Sequence, residues 1–174
     1  GRGQAYVACD ATGRILVALA GTNGAGDVLD DAKIARRDLG GGKMVHAGFD
    51  DHAMAIAAPI MAAIRALPPA PLLLAGHSLG AAALCLIISR HARALPGPVY
   101  LLGCPRVGNE AFAAALDADA GPRLLRVVNR GDPVCNLPLP LRGRWRHAGE
   151  EIKVGRGYDF RSDHGIRHYI AALS

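Results

Sequence analysis

Short, nearly continuous apolar runs alternate along the chain with longer stretches in which apolar residues recur at helical spacing. Tyr6 to Cys9 and Ile15 to Ala20 flank the turn-rich Asp10-Ala11-Thr12-Gly13, which reads as two strands joined by a hairpin connection. Leu72 to Ala75, Val99 to Gly103 and Leu124 to Asn129 are further buried-type strands, and Glu151 to Val154 is strand-like. Between them lie helical patterns. Asp50 or Asp51 can cap a helix running to about Leu67, with Met54, Ile56, Ile60, Met61 and Ile64 on its apolar face and Pro59 expected to kink or interrupt it. A second helix carries Leu79, Ala82, Ala83, Leu86 and Ile87 until Pro96-Gly97-Pro98 stops it, and a third spans about Asn109 to Ala118. Ile166, Tyr169 and Ile170 mark a terminal helical run.

Strands that alternate with helices and are apolar throughout imply a mostly parallel sheet covered by helices on both faces, an α/β class. Functional groups in such sheets gather at the carboxyl ends of the strands. Gly24 to Gly42 is polar and glycine-interrupted, with a short helix near Asp27 to Ala35, and fits either a mobile lid or a surface loop. Pro68-Pro69-Ala70-Pro71 is a rigid entry to the Leu72 strand.

Composition narrows the picture modestly. The chain has 174 residues, 51% of them apolar, and shows no repeat or linker, so residues 1–174 read as one domain with a real core. No uncharged apolar run is long enough to span a membrane, and the first residues are polar without the apolar stretch of a signal peptide. The net charge of +5 suits an anionic lipid surface. Its one notable cluster, Arg142, Arg144, Arg146 and His147 around Trp145, reads as a solvated loop, since no nucleic-acid module accompanies it. Cys9, Cys85, Cys104 and Cys135 lack the paired spacing of a zinc site; Cys85 and Cys104 read as buried free thiols, with a disulfide left open.

The chemistry centres on Gly76-His77-Ser78-Leu79-Gly80, where the Leu72 strand meets the second helix. This fits a nucleophile elbow, a sharp strand-to-helix turn that exposes a serine hydroxyl and crowds out side chains two residues to either side. The helix N-terminus behind Ser78 offers free N–H groups to a developing oxyanion, and the backbone N–H of Leu79 is one such donor. Ala20-Gly21-Thr22-Asn23-Gly24 follows an early strand and can supply the second, with Thr22 the candidate; a plain glycine turn is the competing reading. A serine hydroxyl needs a base, and the base needs an orienting carboxylate. Asp132 directly follows the Leu124 strand, so it shares an edge with Ser78. His147, His164 and His168 all lie beyond it and satisfy the order serine, acid, histidine. His164 sits where a loop meets the terminal helix, from which a base could reach over the sheet edge. His164 and His168 also have the spacing of a metal pair, without the accompanying residues of a metal site. His46, His52, His77 and His91 read as structural, Asp117 and Asp119 as solvated, and Asp163 as too close to His164 to serve it.

Several motifs then agree at once. The chain resembles the class 3, fungal-type lipases of the α/β-hydrolase superfamily. Ala20-Gly21-Thr22 is similar to the family's oxyanion segment, Val45-His46-Ala47-Gly48-Phe49 to its His-x-Gly-Phe, and Gly76 to Gly80 to its elbow. Gly103-Cys104-Pro105-Arg106-Val107-Gly108-Asn109 and Val127 to Val134 resemble its next two segments, and Asp163-His164 with Tyr169 its closing histidine motif. The resemblance runs from about Tyr6 to Leu173. It implies Ser78 as nucleophile, Asp132 as acid, His164 as base, Thr22 and Leu79 as oxyanion donors, and a structural place for His147. It also implies a carboxylic-ester hydrolase of the triacylglycerol lipase or esterase kind, with no cofactor and no metal. Its expected partner is a lipid or small ester substrate met in transient contact with a lipid interface. A phospholipase A1 or other polar-lipid esterase is the alternative, and a non-catalytic lipid-binding relative has no use for an activated serine. Members are often secreted. Ala20 stands where an arginine is usual, Val28 where a tryptophan is common and Cys135 where a proline is usual, changes that bear on lid and substrate range rather than on the triad. Leu137-Pro138-Leu139-Pro140-Leu141, an apolar loop soon after the acid, is expected either to line an acyl pocket or to pack on the core.

Overall fold

The computed structural model describes residues 4–21, 35–140, 144–156 and 163–174. Its centre is a six-stranded sheet in the order β1-β2-β5-β6-β8-β10. Those strands are β1 (Ala5–Cys9), β2 (Ile15–Leu19), β5 (Leu72–His77), β6 (Val99–Leu102), β8 (Leu124–Asn129) and β10 (Glu150–Val154). β2 through β10 run parallel, and β1 turns back antiparallel on β2 through the hairpin at Asp10. Asp10 closes that turn by accepting from the backbone N–H groups of Thr12 and Arg14. The parallel sheet, the hairpin and five of the six strands were legible as apolar runs, while β10 was legible only as a strand-like stretch over Glu151 to Val154.

Four helices are described: α1 (Ala47–Arg65), α2 (Leu79–His91), α3 (Glu110–Ala120) and α4 (Ile166–Leu173). α2 is apolar nearly all round because it is covered nearly all round, packing on α1, α3, β5 and β6. Leu84, Leu86, Ile87 and Ile88 are each at most 1% exposed, and each contributes roughly 1.5–3 kcal/mol of apolar burial. Its neighbour α3 is capped by Asn109, whose side chain accepts from the Phe112 N–H at 3.0 Å. α4 packs against β8 and β10.

Two expectations are corrected, and one sheet is new. α1 begins at Ala47, so Asp50 is no cap; it is buried inside the helix, where Arg37 and Arg90 clamp its two oxygens at 2.9 and 2.6 Å. Pro59 does not interrupt α1. It and Ala55, whose carbonyl loses its intrahelical donor, both face solvent, so water can replace the missing bond. A second sheet, β3-β4-β7-β9, was not anticipated. Its strands β3 (Arg36–Asp38), β4 (Met44–His46), β7 (Gly108–Asn109) and β9 (Trp145–Arg146) are two or three residues long, too short to show any alternation. β3 also falls inside the stretch read as lid or loop, while the short helix expected near Asp27 to Ala35 lies outside the described residues but for Ala35. All four cysteines are free, with Cys85, Cys104 and Cys135 buried.

Candidate active site

Because β5, β8 and β10 run parallel, the segments that leave their carboxyl ends meet on one edge. Ser78 follows β5 directly, Asp132 lies in the turn after β8, and His164 comes after β10, just before α4. Their side chains form a continuous relay. His164 Nε2 lies 2.9 Å from Ser78 Oγ, and His164 Nδ1 lies 2.9 Å from Asp132 Oδ2. Neither His147 nor His168 takes that place. The His147 Nε2–H donates to the Cys135 carbonyl at 2.8 Å, and His168 is exposed on α4.

Ser78 adopts φ 57°, ψ −123° at the N-cap of α2. A non-glycine residue there stores about 1–3 kcal/mol of backbone strain, and the Ser78 N–H bond to Leu102 O at 2.9 Å helps hold the turn. The two elbow glycines are dictated by crowding. A Cβ on Gly76 would lie 2.7 Å from Ala81 Cα, and one on Gly80 would collide with the Leu19 carbonyl. Leu79 is the first residue of α2, so its N–H lacks an intrahelical acceptor and points from the site's helix terminus. Thr22 lies outside the described residues; Gly21 before it packs close enough to Ser78 that an added Cβ would meet the serine Cβ at 2.8 Å.

Asp132 is fully buried, and donors surround it. Oδ1 accepts from the Val134 N–H at 2.8 Å, while Oδ2 accepts from His164 Nδ1, from Tyr169 Oη at 2.6 Å and from Cys135 Sγ at 3.6 Å. Burial by itself raises the carboxyl's pKa, but the bonds from His164, Tyr169 and Val134 outweigh it and hold the group below its ordinary value. Asp132 is therefore a carboxylate at neutral pH, which places the proton on Nδ1 and leaves Nε2 free to accept from Ser78. Burial, together with the nearby Asp132 charge, pushes the Cys135 thiol up to about 12, so it stays a neutral donor.

The family model described as Lipase (class 3) matches residues 16–141. The chain belongs to the class 3 lipase family. It is 33% identical over 162 residues to the secreted mono- and diacylglycerol lipase 1 of Fusarium solani, covering 88% of this chain and 48% of that one. It is 37% identical over 123 residues to the phospholipase A1 EG1, chloroplastic/mitochondrial, of Oryza sativa subsp. indica, covering 58% and 27%. The structure superposes on the triacylglyceride lipase of Rhizomucor miehei with a TM-score of 0.75 at 27% identity, covering 88% of this chain and 62% of that one. The α/β-hydrolase fold is thus shared, and the chain spans about half or less of the curated relatives' lengths.

Two supporting contacts of this class 3 lipase chain escaped sequence reasoning. Tyr169 was read as a position on the terminal helix and as part of the closing histidine motif, with no contact assigned to its hydroxyl, which donates to Asp132 and accepts from the Asn129 N–H at 3.1 Å. The polar end of a fully buried tyrosine requires a partner, which is the signal that was available. His77 was read as structural, but it touches the relay: its ring lies 4.9 Å from that of His164, and its Nε2–H donates to the His164 carbonyl at 2.8 Å. Asn129 completes the support by donating to the Asp163 carbonyl at 2.9 Å. Gly103, at φ 59°, passes so close to the pair that a Cβ would sit 2.9 Å from Asp132 Oδ2 and 3.2 Å from the His164 ring.

Proposed function

We propose that the chain is a single hydrolase domain that cleaves carboxylic esters of lipids through an acyl-enzyme on Ser78. The observation that carries this is the unbroken Ser78–His164–Asp132 relay at 2.9 and 2.9 Å, on a strained turn at the head of a helix. In this reading His164 Nε2 takes the serine proton as Oγ attacks the ester carbonyl, and returns it to the leaving alcohol. The imidazolium formed between these steps is stabilised by the Asp132 carboxylate. The tetrahedral oxyanion accepts from the Leu79 N–H at the positive end of α2 and from Thr22, the two donors proposed for the oxyanion hole. Water then repeats the sequence to release the acid. The residues need no cofactor for any of these steps.

Acylglycerols are the proposed substrate class, supported by the likeness to mono-, di- and triacylglycerol lipases. A polar-lipid esterase is the second reading, supported by the phospholipase A1 likeness. Leu139, at 60% exposure soon after the acid, is a proposed contact for an acyl chain or lipid surface; Leu139→Asp should then shift acyl-length preference. The deciding experiment hydrolyses p-nitrophenyl esters of rising acyl length, diacylglycerol and phosphatidylcholine in parallel with the wild type and Ser78→Ala. Loss of all activity in Ser78→Ala, with the diacylglycerol rate above the phospholipid rate, supports the reading. A Ser78→Ala protein as active as the wild type overturns it.

A further inference from the structure

Val134–Asn136 form a short 3-10 turn directly after the proposed acid. Residues three apart in such a turn stack on one another, so the side chain of Cys135 comes back over Asp132. Its thiol is buried, with Sγ 3.6 Å from Asp132 Oδ2 and 3.7 Å from Tyr169 Oη. The backbone here is held from both sides: the Val134 N–H donates to Asp132 Oδ1 at 2.8 Å, and the His147 Nε2–H donates to the Cys135 carbonyl at 2.8 Å. The sequence marks Cys135 as a departure from the segment it resembles, one expected to bear on lid and substrate range. The contact with Asp132 puts it beside the triad instead.

The direction of these bonds follows from counting protons. Tyr169 gives its only hydroxyl proton to Oδ2 at 2.6 Å, and its oxygen accepts from the Asn129 N–H. Burial and the Asp132 charge keep the thiol protonated, and the carboxylate is the stronger of its two acceptors. Oδ2 therefore takes three donors, from His164 Nδ1, Tyr169 and Cys135. Donors on one oxygen compete for its charge. What the thiol draws is lost to the imidazolium that Asp132 stabilises, so the base is weaker and stays unprotonated to lower pH. The other ionisable groups nearby are His77, held neutral by burial beside the His164 ring, and Asp163, which accepts from Asn129 Nδ2. Around Cys135 itself stand Arg126 and the neutral thiol of Cys104. All of these are unchanged by a substitution at position 135.

We propose that Cys135 is a positioning residue for the triad, its thiol drawing charge from Asp132 Oδ2 and so lowering the basicity of His164. This rests on the Ser78–His164–Asp132 reading and adds to it what sets the pH range of the reaction. Ester hydrolysis releases a carboxylic acid and, near neutral pH, a proton. A base that resists protonation keeps working as the product acidifies its surroundings.

The test follows His164 in two ways: by the acid limb of the kcat/KM–pH profile on a short-chain p-nitrophenyl ester, and by NMR titration of its ring, which needs no activity. Cys135→Ala removes the donor, and both midpoints should rise by roughly half a pH unit, about a threefold gain in proton affinity. Cys135→Ser supplies an O–H donor in its place and should bring both midpoints back to the wild-type value or below. An NMR midpoint in Cys135→Ala indistinguishable from the wild type, or equal rises in the two variants, overturns the proposal; a purely packing role lowers Tm and leaves the midpoints in place. Should Cys135→Ala not fold, Cys135→Val, similar in size and without a donor, takes its place under the same criteria. An NMR shift in protein that hydrolyses no ester supports the thiol's effect on His164 and overturns the esterase reading, whereas ester hydrolysis with unmoved midpoints does the reverse.

Discussion

The His77 Nε2–H donates to the backbone carbonyl of His164 at 2.8 Å, with the two rings 4.9 Å apart. The residue before the serine thereby tethers the loop that carries the proposed base, coupling the carboxyl end of β5 to the entry of α4. Burial lowers the His77 pKa, so the ring is neutral at pH 7 and the carbonyl fixes its proton on Nε2. His77→Phe keeps the ring and removes the tether. Losing one neutral hydrogen bond costs about 0.5–1.5 kcal/mol, so kcat/KM should fall roughly three- to tenfold on a short-chain ester, mainly through kcat. Kinetics indistinguishable from the wild type would show that the tether has no part in positioning His164.

Asp132→Asn removes the carboxylate that holds the His164 tautomer while leaving a side chain of the same shape. If the triad acts as proposed, kcat should drop by about three to four decades in protein that remains folded, with a lower Tm because the amide cannot accept all the bonds that His164, Tyr169 and Val134 donate. Steady-state kinetics beside a melting curve give the answer; a loss below tenfold would contradict the assigned role.

His147 supplies a pH dependence of stability separate from catalysis. Burial, reinforced by Arg126, depresses its pKa from 6.5 to about 4. Above pH 6.5 neither state binds the proton and the contribution is complete. Between 6.5 and about 4 the unfolded chain is protonated and the folded chain is not, so stability declines as pH falls through that window, by roughly 3 kcal/mol in all. Urea unfolding across this pH range should trace the decline. His147→Gln should flatten it between those pH values, and an equally steep decline in the variant would assign it to other groups.

Gly80→Ala tests the elbow without touching the relay. The added methyl collides with the Leu19 carbonyl, a backbone atom of the central sheet that cannot swing aside. The variant should lose more than about 3 kcal/mol or fail to accumulate as folded protein. Unaltered Tm and activity would mean that β2 and α2 have room to separate.

The apolar strands and the periodic helices were legible because each reflects local burial: a strand inside a parallel sheet is apolar throughout, and α2 is apolar wherever it is covered. The order of Ser78, Asp132 and His164 was legible too, since each follows a strand or precedes a helix whose pattern marks it. From residues alone, though, His147, His164 and His168 satisfied that order equally, and the family resemblance was needed to prefer His164. Only the tertiary structure fixed the separations, because which loops meet over an edge depends on the strand order β5-β6-β8-β10, and side-chain period carries no information about order. The addition of β7 and β9 to the small second sheet, the Arg37–Asp50–Arg90 clamp, Tyr169 on Asp132 and His77 on His164 belong to the same class. Each is a contact between residues at least 13 positions apart, and a linear pattern does not record it.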